Sequence, residues 1–402
     1  MSDVVVEAES NEGVQPSRPR ILVLSFSPII RDPRVLRQIS LLKPSADIIS
    51  CGYGEAPDGV VEHIRIPAAL KPWRSDHKKV AALLAARFHE RLYFDSDRVK
   101  FVRDRIPVGS IDVVMANDVI AVPLALALRP TRGVHADLHE YAPRQGEDQL
   151  QWRLLVGPLM KWACRKYVTR ANSVSTVAKG IAEEYARVYG IAEPAVVPNA
   201  SAYDPRFEPT QVASPLRIVH AGAAGRGRRI EIMMDAVAKA NEVRPGAATF
   251  DVVLVPGDQS YIDELTRKAK GIPGNAVKVI PPVAFDQIVP LLHGYDIGFY
   301  LCPPNNFNMR HALPNKLFEF VQARLAVVIG PSPEMQRIVT EHQFGLVTDG
   351  FDAASAADLL LKLTPEEVAE MKNASHTAAK TLSAEAVTQP WLDAVQRLTR
   401  VA

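Results

Sequence analysis

Short apolar runs alternate with longer segments of helical periodicity along nearly the whole chain, and the alternation restarts once, at Leu216. A strand–helix–strand repeat of this kind buries itself as a parallel sheet covered by helices on both faces. Residues 20–26 (RILVLSF) predict the first strand, and a helix from about Pro33 follows, with Val35, Ile39, Leu41 and Leu42 on its inner face. Further strands are predicted at 46–51, 60–66, 111–116, 133–138, 173–177 and 195–197. After the restart, strands are expected at 216–222, 250–255, 276–280, 296–301 and 326–330, with helices near 229–243, 260–270, 284–293 and 315–323 between them. The expected fold class is therefore α/β, with two Rossmann-like doubly wound domains at 20–200 and 216–384 and a proline-bearing linker at 201–215. A chain of 402 residues supports two domains, since single cores rarely grow past about 250–300 residues. Ligands of such sheets sit beyond the carboxyl ends of the strands, so two facing domains would hold one in the cleft between them.

Composition narrows the function classes. The net charge of +2 is too small to point to a nucleic-acid partner. Cys51, Cys164 and Cys302 are scattered and odd in number, which argues against a disulfide framework and fits a reducing compartment. Residues 1–19 are polar and acid-rich and read as a disordered tail, with no apolar core of a secretory signal. The longest apolar runs, such as 119–128, fall far short of the ~20 residues a spanning helix needs. The expectation is a cytoplasmic protein, with membrane contact only at the inner surface.

The most informative segment is 311–335, HALPNKLFEFVQARLAVVIGPSPEM. Pro314 fits a helix's first turn, where a missing N–H costs nothing. The N–H groups of Asn315 and Lys316 would then point out of the helix start, an end that attracts phosphate, and Lys316 adds a full cation. Glu319 lies about one turn further in, within reach of a ribose hydroxyl pair. An ordinary helix start with a solvated Lys–Glu pair has the same spacing.

Residues 218–232 (IVHAGAAGRGRRIEI) form a strand, a loop bearing Gly222, Gly225 and Gly227, and a helix. Arg226, Arg228 and Arg229 bring three cations to that loop, and the planar guanidinium suits a diphosphate. A solvated basic turn is the plainer reading. In the first half, His139 and Glu140 of ADLHEYAP and the pair Asn117-Asp118 stand at strand ends, where functional groups of α/β sheets gather. Asp32-Pro33 reads as a helix cap and first residue, leaving Arg31 and Arg34 to face the cleft. Residues 71–105 hold ten Lys or Arg against five Asp or Glu, with Val80, Leu83, Leu84, Phe88 and Leu92 on one helical face. This pattern describes either a peripheral membrane contact or a surface helix packed on its own domain. Zinc, Walker, nucleophile-elbow and kinase motifs are absent from the sequence.

Taken together, these residues resemble the GT-B glycosyltransferases, specifically the retaining enzymes of glycosyltransferase family 4, over roughly 20–400. LPNKLFEF followed by VVIGPSPEM is similar to that family's donor-site helix, and ADLHEYAP to its Asp-x-His-Glu loop. FSPIIRDPRVLRQISLL resembles its first loop and helix, while VSTVAKGIAEEY and VVPNAS resemble the segments leading to the linker. The resemblance implies that Glu319 binds the ribose hydroxyls, that Pro314, Asn315 and Lys316 form the phosphate-binding helix start, and that Gly222 with Arg228 or Arg229 serves the diphosphate. It places His139 beside the donor sugar, Val283 in a loop (282–285) bordering the base, and 385–402 as a helix crossing back to the first domain. His139, Lys316 and Arg228 are the expected catalytic groups. Departures are also present: His311 stands eight positions before Glu319, where the family often has a second glutamate. Ala178 replaces a frequent serine, the phosphate-loop cations are spaced differently, and the first loop lacks two glycines.

The implied reaction moves a sugar from a nucleoside diphosphate sugar to a hydroxyl of a glycan or lipid-linked acceptor, with retention and with no metal or other cofactor. A bacterial surface glycan or glycolipid is the implied product class. A sugar-nucleotide epimerase of the same fold, or a non-catalytic partner subunit, would share the nucleotide site. Base, sugar, acceptor and oligomeric state are not readable from the sequence.

Overall fold

The computed structural model describes residues 18–70 and 77–400, so the tail at 1–17 and residues 71–76 of the basic segment lie outside the described residues. Two wholly parallel sheets organise the chain. The first holds β1 (Arg20–Pro28), β2 (Asp47–Tyr53), β3 (Glu62–Arg65), β4 (Val113–Asn117), β5 (Gly133–Asp137), β6 (Ser173–Thr176) and β7 (Ala195–Val196), in the order β3-β2-β1-β4-β5-β6-β7. The second holds β8 (Leu216–Ala223), β9 (Ala248–Val255), β10 (Val277–Ile280), β11 (Ile297–Tyr300), β12 (Ala326–Ile329) and β13 (Gly345–Val347), in the order β10-β9-β8-β11-β12-β13. Central strands such as β1, β4 and β12 are buried on both faces, which is why they read as unbroken Val/Ile/Leu runs.

Strand order reverses between β1 and β4 in one sheet and between β8 and β11 in the other. At those points neighbouring crossover helices diverge to opposite faces and leave a crevice beyond the strand ends. The carboxyl ends of β1 and β8 and the loops after β4, β8 and β11 therefore supply much of the cleft wall: Phe26, Ser27, Asp118, Gly222, Arg228, Cys302 and Asn306 all line it.

The first domain begins before β1. Arg18 donates to the carbonyl of Ala46, and the carbonyl of Pro19 accepts from Asp47, so these two residues are tied to the start of β2 rather than belonging to a tail. At the other end the helix Gln389–Thr399 lies on the first domain: Trp391 is fully buried with Ile21, Val23, Val35 and Met115, and its indole N–H donates to Ser175 Oγ at 3.1 Å. All three cysteines are free and buried.

The basic segment departs from the expectation of one continuous amphipathic helix. It forms three short helices, His77–Ala85, His89–Phe94 and Asp97–Arg103. Arg87 takes φ 62° between the first two, which turns the chain and leaves Phe88 exposed while Leu84 and Leu92 are buried. Neither Arg31 nor Arg34 lines the cleft. Arg34 is instead drawn beneath its floor by Asp137, through two hydrogen bonds of 2.6 and 2.7 Å.

Candidate active site

A cleft of about 1160 Å³ runs between the two sheets. Its second-domain wall is built around the helix Asn315–Gln322, whose Leu317, Phe318, Phe320 and Val321 are buried against the sheet. Pro314 occupies the N-cap rather than the first turn, with φ −74° and ψ 152°, and no side chain caps the helix start. Its carbonyl accepts from Leu317, while the N–H groups of Asn315 and Lys316 have no acceptor among the described residues and remain available to a ligand.

Lys316 folds back over the end of β8. A Cβ on Gly222 would lie 2.2 Å from its Cε and 2.4 Å from its Nζ, so the glycine is what lets the ammonium rest on the strand's backbone. Tyr300, at the end of β11, places its ring 5.9 Å from the same ammonium. Enclosure lowers Lys316 to about 8, Arg228 adds repulsion, and Glu319 opposes both. His220 below is fully buried and held neutral: burial pushes it down to about 3, Lys316 reinforces that, and its Nδ1 meets the carbonyl of Phe299 at 3.0 Å.

Glu319 sits one helical turn deeper, buried, and also lines the cleft. Burial raises its carboxyl above the ordinary range, with Lys316 pulling the other way. None of the described residues donates a hydrogen bond to it, so a buried acceptor faces the cleft with unused capacity.

The three arginines of the glycine loop separate. Arg228 lines the cleft. Arg229 adopts φ 52°, points elsewhere and pairs with Glu231 at 2.6 Å. Arg226 is exposed and pairs with Glu264 at 2.8 Å and Asp258 at 3.2 Å. Further along the same wall, Val253, Val255, Pro282, Val283, Ile288 and Leu291 form an apolar slot.

The first-domain wall carries two non-glycine residues in the left-handed region, Asp118 (φ 67°) and His139 (φ 54°). Strained backbone of this kind persists where the surroundings over-determine it, and it clusters at functional sites. The His139 ring stands between carboxylates, with Nε2 3.5 Å from Asp137 and Nδ1 3.6 Å from Asp118. Burial alone would lower the imidazole, but Asp118 and Asp137 together raise it. Asp137 is itself fully buried and accepts from Arg34, Gln38 and Ser175. Burial would raise its carboxyl, yet the Arg34 guanidinium holds it well below the usual carboxylate range.

His311 does not line the cleft. Its Nδ1 lies 3.4 Å from Glu334, and a Cβ on Gly180 would fall 2.1 Å from that nitrogen. Glu334 in turn accepts from the N–H groups of Gly180 (2.7 Å) and Lys179 (3.2 Å), at the start of the helix Lys179–Tyr189 in the first domain. The position eight before Glu319 thus serves an interdomain contact. Asn308, Ser332 and Glu334 also belong to the site or its rim, and Asp137, the first residue of the Asp-x-His-Glu segment, anchors its floor. Asp137 carried the motif and Glu334 an acidic first turn after Ser332-Pro333, whereas Asn308 carried no local signal.

No protein-family model matches the sequence, and no curated protein sequence is similar to it. Solved structures are. HepE of Anabaena in complex with UDP superimposes with a TM-score of 0.64 at 14% identity, covering 94% of this chain and 100% of that one. The α,α-trehalose 6-phosphate synthase of Burkholderia multivorans gives 0.66 at 12% identity, covering 95% and 99%. The sucrose-phosphate synthase of Thermosynechococcus elongatus gives 0.68 at 12%, covering 95% and 99%. Two all-parallel α/β domains flanking a cleft, aligned end to end with these structures, place the chain in the GT-B fold.

Proposed function

We propose that the protein is a glycosyltransferase that moves a sugar from a nucleoside diphosphate sugar to a hydroxyl acceptor. One observation carries this reading: two free helix-start N–H groups, the Lys316 ammonium and Arg228 converge on one part of the cleft, with the unpartnered Glu319 carboxylate one turn deeper. That is an anion site beside a hydroxyl acceptor, the chemistry of a diphosphate joined to a ribose. The apolar slot around Val283 then takes the base. HepE, of the same fold, was crystallised with UDP and with UDP-glucose.

Departure of the nucleoside diphosphate concentrates negative charge on its outer phosphate. The Asn315 and Lys316 N–H groups, the Lys316 ammonium and Arg228 are fixed where that charge develops, so they stabilise it without reorganising. These cations supply the role a metal ion often fills, and none is assigned. His139 faces the sugar, and its imidazole, raised by two carboxylates, presents a proton or a cation there. The reading follows the retaining family 4 enzymes in assigning no covalent nucleophile: the acceptor attacks from the side the phosphate leaves, and that phosphate takes the proton. A cytoplasmic reaction on a bacterial surface glycan or glycolipid fits this chemistry. A peripheral membrane site finds support in a groove lined by Arg87, Lys161, Arg165 and Lys166 beside the exposed Phe88 and Leu154.

Calorimetry with UDP, GDP, ADP and dTDP tests the donor site. At least one should bind the wild type, and both Glu319→Ala and Lys316→Ala should weaken it by about ten- to a hundredfold, the worth of one charge-assisted hydrogen bond. Unchanged affinity in both variants would falsify the assignment. Product analysis without acceptor excludes an epimerase when the donor sugar is recovered unconverted.

A further inference from the structure

Four cationic side chains are buried among the described residues: Arg34, Arg98, Arg324 and Lys372. Three have protein partners for their charge or their donors. Arg34 forks onto Asp137, Lys372 meets Thr210 and Asp296, and Arg324 donates to the carbonyls of Gln322 and Asp204. Arg98, on the helix Asp97–Arg103, differs in that its buried Nε is left without a partner. It is 6% exposed, and among the described residues its Nε has no hydrogen-bond partner and its charge meets no carboxylate, only the phenols of Tyr93 and of Tyr53, whose oxygen accepts from the guanidinium. Both phenols donate to backbone carbonyls, of Ile120 and Leu70. The guanidinium lies 4.0 Å above the ring of Phe26, which orients its plane. Burial lowers its pKa, and the Tyr93 and Tyr53 phenols oppose this only in part.

Arg98 also lines the cleft, on the first-domain wall with Phe26, Ser27, Ile120 and Met160. Lys316 and Arg228, the cations assigned to the donor diphosphate, belong to the other domain. A buried, pre-oriented guanidinium with no carboxylate is costly to the folded chain unless something else completes it. We propose that Arg98 completes an oxyanion subsite on the acceptor side of the cleft, so that the acceptor carries a phosphate or a carboxylate. The planar fork pairs with either group, and the stack on Phe26 holds it ready. This rests on the glycosyltransferase reading, which fixes which wall meets the donor.

The test uses the full chain saturated with UDP, or with whichever of GDP, ADP and dTDP binds in its place, so that the donor phosphate site is filled. It is titrated calorimetrically with inorganic phosphate, with glucuronate and with glucose as the neutral control. Phosphate or glucuronate should bind and glucose should not, and the oxyanion preferred tells a phosphorylated acceptor from an acidic sugar. Arg98→Met keeps an apolar stem over Phe26. It should lose at least tenfold in oxyanion affinity, bind the nucleotide within about twofold of the wild type and melt no lower, and Arg98→Lys should recover part of the loss. The subsite is overturned if the wild type binds the nucleotide but neither oxyanion, if Arg98→Met binds the oxyanion equally well, or if Arg98→Met melts well below the wild type. Any of these leaves the donor site standing. Failure of the wild type to bind any of UDP, GDP, ADP and dTDP would remove the donor reading, and the subsite with it.

Discussion

At the scale of single residues, Lys316 is the group whose chemistry is most altered by its place. In water its ammonium would stay charged to about pH 10.4. Laid over Gly222 and beside Arg228, it is lowered to about 8. A bound diphosphate supplies opposite charge and raises it again, so the protonated form binds the nucleotide more tightly. Affinity for UDP should accordingly be flat just below pH 8 and weaken above it, approaching tenfold per pH unit until the pKa of the complex is reached. Lys316→Met should bind more weakly at pH 7.5 and show no such slope. Isothermal titration between about pH 7.5 and 9.5 measures both curves, and parallel curves would mean that Lys316 does not meet the phosphate. The position of Lys316 and Glu319 at a helix start could be read from the sequence because a helix-start pattern is local. The significance of Arg98 could not, because it is a buried Nε left without a partner, which only the packed surroundings reveal.

Among the elements, the helix Asn315–Gln322 depends on one close approach. It drops Phe320 onto β11, where a Cβ on Gly298 would lie 2.3 Å from the ring. Phe320 is fully buried, so its ring has nowhere to retreat. Gly298→Ala should destabilise the second domain by about 1–3 kcal/mol, the usual range for overpacking, and should weaken UDP as the helix start shifts. Urea unfolding followed with UDP titration reads both effects. Wild-type stability in the variant would show that the contact is slack. The same packing explains what could be read ahead of the structure. Central strands such as β1, β4, β11 and β12 announced themselves as apolar runs because both their faces are covered, whereas β13 is three residues long and half-exposed and left no such trace. The helices Pro333–His342, Ala353–Lys362 and Pro365–Ala379 did carry signals, including Asp352 as a cap and the Thr364–Glu367 capping box, but their apolar positions are diluted by alanine and polar residues. In the basic segment the reverse happened. A helical period continued through Arg87, where no glycine or proline marks the turn to φ 62°.

For the whole molecule, the cleft is held together by contacts that no local pattern could disclose. Asn308 accepts from the Tyr141 N–H at 2.8 Å and donates to the Tyr141 carbonyl at 3.2 Å. Glu147 accepts from the Phe307 N–H at 2.7 Å, and the Phe307 and Tyr141 rings lie 5.2 Å apart. Together with Glu334 on the helix Lys179–Tyr189, these ties bring the segment 306–311 and the helix Pro333–His342 onto the first domain. Such a rim sets how far the cleft opens, and a closed cleft keeps water from the donor. Asn308→Ala removes two buried hydrogen bonds, each contributing about 1 kcal/mol, which moves an open–closed ratio by roughly thirtyfold toward open. Small-angle scattering of the unliganded variant should therefore give a larger radius of gyration than the wild type, with UDP drawing the two together and with weaker apparent affinity in the variant. Identical scattering without ligand would locate the closure elsewhere, in the apolar contact of Phe307 and Tyr141 rather than in the hydrogen bonds of Asn308.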